Sequence, residues 1–99
     1  MRYPPAVALV NAVVKGRSHL AALHDAGEVV RALRSNGAAY RVLGPAPAPL
    51  SRLKGEHRAQ FFMKGPHRGP MRLGLLEALA GRPDIKRRTI VDVDPMTVL

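Results

Sequence analysis

The chain has 99 residues, room for one compact domain with a single core, and no cysteine, which excludes disulfide staples, thiolate metal sites and a cysteine nucleophile. Sixteen Lys/Arg against seven Asp/Glu leave a net charge of +9 and a pI near 11.4, a balance that favours a polyanionic partner such as nucleic acid. Aromatics are only 4% of the chain, so the core has to be built from Val, Leu, Ala and Met. Met1 to Ala8 carries one Arg and two prolines and no long apolar run, so neither an export signal nor a membrane partner is expected. With no cysteine as well, the expected compartment is cytoplasmic.

In chain order, AVALVNAVVK from Ala6 to Lys15 is almost wholly apolar and Val-rich, which predicts a central strand buried on both faces. Gly16 and Arg17 turn the chain, and Ser18 is a helix N-cap. The helix it opens would bury Leu20, Leu23, Gly27, Val30 and Leu33 and leave His24, Glu28 and Arg31 in water, ending at Asn36-Gly37. Tyr40 to Leu43 reads as a short strand, followed by Gly44-Pro45-Ala46-Pro47-Ala48-Pro49 as a stiff, solvated arm.

After a basic loop from Leu50 to His57, RAQFFMK from Arg58 to Lys64 alternates as a strand does. Ala59, Phe61 and Met63 take one face, and Arg58, Gln60, Phe62 and Lys64 the other. A second helix is predicted from about Met71 to Ala80, burying Met71, Leu75, Leu76 and Leu79 and stopped by Gly81 and Pro83. Thr89 to Asp94 is the last strand, with Val91 and Val93 inward, Asp92 and Asp94 outward, and Pro95 closing it. The order β-α-β-β-α-β is the α+β split β-α-β arrangement: a four-stranded, mainly antiparallel sheet with two helices on one face and the other face partly open.

Three motifs, LGPAPAPLSRLKG from Leu43 to Gly55, RAQFFMK at Arg58 and VDVDP at Val91, resemble the C-terminal domain of the bacterial replication-restart helicase, primosomal protein N′. The opening RYPP, Arg2 to Pro5, is similar to the segment that joins this domain to the helicase core. The resemblance implies a single domain over residues 1–99, with 1–5 as the junction, and the fold of a small ribosomal-subunit protein. It also implies packing beside helicase lobes and recognition of branched DNA at stalled forks, with single-stranded-DNA-binding protein as a further partner. The parent would be an ATP-dependent DNA helicase whose P-loop and cysteine-bound zinc site have no counterpart in these residues, so the chain would be a fragment or detached homologue and no enzyme by itself. One departure is Glu56, followed by His57 and Ala59, where relatives carry basic and aromatic residues before the glutamine, although Arg58 and Gln60 match. A carboxylate there would repel an acidic partner tail.

From Arg52 to Arg72 the chain places Arg52, Lys54, Arg58, Lys64, Arg68 and Arg72 against the single acidic Glu56. Such a cluster binds phosphates by releasing counterions, and the competing account is a solvated basic face. Phe62, between Gln60 and Lys64, offers a ring on which a base could stack, or which a neighbouring domain could cover. Lys86, Arg87 and Arg88 could extend a phosphate track or form a solvated turn. Asp92 and Asp94 share a strand face but lack the converging oxygens of a metal site, so ion pairs with the basic turn are expected of them. His19, His24, His57 and His67 lack zinc-site spacing and are expected at the surface. No Gly-rich nucleotide loop or serine elbow is present, so no cofactor, metal or catalytic residue is expected.

The expected function is a module gripping fork or single-stranded DNA without sequence specificity, while also contacting the helicase core. Its expected site residues are Arg52, Lys54, Arg58, Gln60, Phe62, Lys64, Arg68, Arg72, Lys86, Arg87 and Arg88. A pure protein-interaction module docking through Gly44 to Pro49 is the alternative. An acylphosphatase-like enzyme shares the strand and helix order, but Gly16-Arg17 lacks the Val-Gln-Gly surroundings of that family's phosphate loop.

Overall fold

The computed structural model describes residues 8–35, 40–48 and 57–93. The elements run β1 (Ala8–Gly16), α1 (His19–Ser35), β2 (Arg41–Pro47), β3 (His57–Gly65), α2 (Arg68–Ala80), α3 (Pro83–Arg87) and β4 (Thr89–Val93). The strands form one sheet in the order β2-β3-β1-β4 with every pairing antiparallel, which is the α+β architecture expected from the sequence. The short α3 replaces part of the expected turn. Pro83 supplies a preset φ at its start, Asp84 stands at its positive end, and Lys86 and Arg87 stand at its negative end.

Alternation on β1 and β3 fixes the core. Val10, Ala12 and Val14 meet Met63, Phe61 and Ala59 across the strands, and all six are fully buried beneath the helices. The opposite residues of β1 (Leu9, Asn11, Val13 and Lys15) keep partial exposure, so β1 is central without being buried on both faces as predicted. The described helices all pack on the other face, with Val10, Ala12 and Val14.

The buried stripe of α1 is Ala22, Ala26, Val29, Val30 and Leu33, and Leu20 is 79% exposed, contrary to the sequence expectation. The cause is close packing. A Cβ on Gly16 would stand 2.8 Å from the amide nitrogen of Ala22, so the start of the helix meets the strand through Ala22 and not through Leu20. Ser18 caps the helix as expected, its Oγ accepting from the Ala21 N–H at 3.0 Å.

Helix α2 starts three residues earlier than predicted, because Pro70 lies in the first turn, where its missing N–H has no intrahelical partner to lose. It buries Met71, Gly74, Leu75, Ala78 and Leu79, while Leu76, expected inside, is half exposed. Gly74 takes the inward position because the Tyr40 hydroxyl occupies the space where a Cβ would stand. Val91 lies on the helix side of β4, opposite Ala12, yet remains 41% exposed at the sheet edge.

The proline segment is also corrected. The chain stays in the sheet through Pro47, with Ala46 opposite Gln60, Pro47 opposite Ala59, and the Ala48 N–H donating to the Arg58 carbonyl at 3.0 Å. Prolines are tolerated because β2 is an edge strand, and the register shift between Leu43 and Ala46 absorbs Gly44 and Pro45. Gly44 has φ +114, and an added Cβ would lie 3.1 Å from the Gln60 carbonyl oxygen, so glycine is required there. Asn36-Gly37, Pro49, Asp94 and Pro95 lie outside the described residues.

Candidate nucleic-acid interface

The face of the sheet that the described helices leave open gathers side chains from all four strands. On β3, Arg58, Gln60, Phe62 and Lys64 point to it, as their alternation with buried Ala59, Phe61 and Met63 requires. The register brings neighbours to each. Lys64 stands between Arg41 on β2 and Leu9 on β1, and Phe62 between Leu43 and Asn11, with Asp92 of β4 beyond Asn11. Gln60 stands between Ala46 and Val13, with Ile90 beyond, and Arg58 is opposite Lys15.

Two cross-strand pairs on this face, Arg41/Lys64 and Lys15/Arg58, therefore set cationic residues directly opposite each other in the register. They sit at opposite ends of β3, six residue steps or about 20 Å apart at strand rise. Asp92 is the sole carboxylate among the described residues of the face. Between the pairs lies a strip of Leu43, Phe62, Asn11, Gln60, Val13 and Ile90, in which Leu43 and Ile90 are 46% and 50% exposed.

Other sequence-predicted residues fall elsewhere. Arg68 opens α2 and Arg72 lies on its outer side, so both belong to the helix layer, across the sheet from Phe62. Lys86 and Arg87 are exposed on α3, where Arg87 reaches Asp84 at 3.3 Å. Arg52 and Lys54 lie outside the described residues.

Arg88 has an internal role. Its Nη2 donates to Asp25 Oδ2 and Asp84 Oδ2, each at 2.9 Å, and its Nη1 donates to the Lys15 carbonyl, tying the α3–β4 turn to α1 and β1. The hydrogen bond from Arg88, followed by its charge, holds the exposed Asp84 carboxyl below the usual carboxylate range. The basic turn thus pairs with Asp84 and Asp25, not with Asp92 as expected.

Not all histidines are surface groups: His57 is half-buried on the helix side of β3, its ring edge-on to His19 at 4.6 Å and its Nδ1 buried without a partner. Among the described residues no three His, Asp or Glu side chains group as a metal site would require, and no helix is long and apolar enough to cross a membrane. The sequence reading missed Lys15 and Arg41. Strand alternation could have turned Lys15 outward, but only the register shows either one facing a second cation.

These features define a small split β-α-β domain that presents an open, cationic sheet face. Residues 1–96 match the family described as the primosomal protein N C-terminal domain, and the chain belongs to that family, an accessory domain of the replication-restart primosome. No curated protein matches the sequence. Among solved structures, a de novo designed protein, Foldit4, shares the fold with a TM-score of 0.64 over 88% of this chain and 92% of its own, at 8% identity.

Proposed function

We propose that the domain grips the DNA backbone at branched or single-stranded regions for a replication-restart helicase in the cytoplasm, without reading sequence, while other surfaces contact the helicase core and partner proteins. The supporting observation is the gathering of four cations, Lys15, Arg41, Arg58 and Lys64, on one face of the sheet with one described carboxylate. Phosphates that reach such cations release condensed counterions. Family membership supports a partner of the same chemistry. Arg58, Gln60, Phe62 and Lys64 remain in this reading, and Lys15 and Arg41 join them.

Titration of the 99-residue chain with forked and duplex DNA at two salt concentrations tests the proposal. Affinity should fall roughly 10-fold or more between 50 and 200 mM salt if several phosphate contacts form. Salt-insensitive binding, or none, removes it.

A second reading, a protein-interaction module, is favoured by the exposure of Leu43 and Ile90 on the same face. Capture of a separately expressed helicase core by the wild-type domain, lost on changing Leu43 or Ile90 to Ser, would support that reading.

A further inference from the structure

The cations of the open face stand at its two ends, and its middle carries Leu43, Phe62, Val13 and Ile90 among the amides of Asn11 and Gln60, with Asp92 at the β4 edge. Any polyanion lying across it has to place charge near Lys15/Arg58 and near Arg41/Lys64 while setting something flat and uncharged on Leu43, Phe62, Val13 and Ile90. A duplex cannot do so. Its charged backbone faces outward, its base faces are stacked inside, and pressing phosphates onto the central strip would strip them of water without a compensating partner. An unpaired strand can, because each of its bases offers an uncharged face.

Resting on the reading that this face binds nucleic acid, we propose that it is a single-strand platform. A base stacks on Phe62, and the sugar-phosphate chain runs along β3 from the Lys15/Arg58 pair to the Arg41/Lys64 pair. The half-buried Phe62 ring is flanked across the strands by Leu43 and Asn11. Leu43 extends the apolar floor beneath a neighbouring base. Asn11 stands beside the ring with its Oδ1 buried and without a hydrogen-bond partner. Gln60, one alternation along β3 on the same face, can both donate and accept. An amide of this kind meets base edges without demanding one base, so the platform tolerates any sequence.

The test compares three ligands of equal phosphate count at one salt concentration: oligothymidylate, the same strand with abasic sugars, and a duplex. The wild-type chain is expected to bind oligothymidylate more tightly than either of the others. Phe62→Ala should weaken oligothymidylate binding roughly five- to a hundredfold, the range seen for loss of one stacked base, and leave the abasic strand unaffected. Because the chain has no tryptophan, Phe62→Trp introduces a single indole, whose emission should be quenched by oligothymidylate and not by the abasic strand. If all three ligands bind wild type and Phe62→Ala alike, with steep salt dependence, the platform is refuted while the backbone grip stands. If none binds, the grip itself fails. If Phe62→Ala instead abolishes capture of the helicase core and leaves DNA binding intact, Phe62 belongs to a protein interface and the platform is likewise refuted.

Discussion

Replacing Arg88 with Ala separates a structural cation from a binding one. The guanidinium makes a 2.9 Å ion pair with Asp25, whose side chain is 23% exposed against 30% for Arg88, and caps the Lys15 carbonyl at the end of β1. A charged hydrogen bond contributes about 1.5–3 kcal/mol when shielded, and partial exposure reduces the Asp25 pair to about 1–2. Loss of the donor to Lys15 adds about 1 kcal/mol, and the bond to the exposed Asp84 is screened by solvent. The expected loss is about 2–3 kcal/mol, a fall in Tm of roughly 10–20 °C for a domain of this size. Thermal melts followed by circular dichroism measure it. Below that melting point, the salt dependence of DNA affinity should be unchanged, since the side chain is engaged inside the fold. A Tm within about 2 °C of wild type, or a salt slope lower by about one contact, would refute the assignment.

The same group also acts on one carboxylate in acid. Asp84 is held below its ordinary value of 3.8 by Arg88, so its contribution is present above that value and lost as pH falls through the lower, folded one. Melts taken below pH 4 should therefore show a shallower loss of stability in Asp84→Asn than in wild type. Phe61 and Phe62 are neighbours with opposite roles: Phe61→Ala should cost about 3–5 kcal/mol and lose the near-native melt, whereas Phe62→Ala should retain it. Gly74→Ala should destabilise by about 1–3 kcal/mol, because the Tyr40 ring must move to admit a methyl group. Tyr40→Phe removes a buried hydroxyl that lacks a hydrogen bond, so its melting point should equal or exceed that of wild type.

Strand alternation made the centre of the fold legible from sequence. RAQFFMK separates Ala59, Phe61 and Met63 from Arg58, Gln60, Phe62 and Lys64 without further information, and the structure keeps that division. The helix faces were harder to read, because hydrophobicity ranks Leu20 and Leu76 above Ala22 and Gly74. The deciding factor was the close approach set by Gly16 and Tyr40, a tertiary fact. Proline was read as a break from the sheet at Gly44 to Pro49, but an edge strand has no need of every N–H.

Charge is the least legible layer, since sequence counts cations without saying which face they take. Arg72 went to the helix layer and Arg88 to an internal ion pair, while a register invisible in the sequence set Lys15 and Arg41 each opposite a second cation.

Mapping the bound strand onto the sheet tests the account most directly. With the 99-residue chain labelled for nuclear magnetic resonance and titrated with a short single-stranded DNA, the largest shifts are predicted at Lys15, Arg41, Arg58, Phe62 and Lys64. Shifts concentrated on Arg68, Arg72 and the outer side of α2, with β1 and β3 silent, would contradict it.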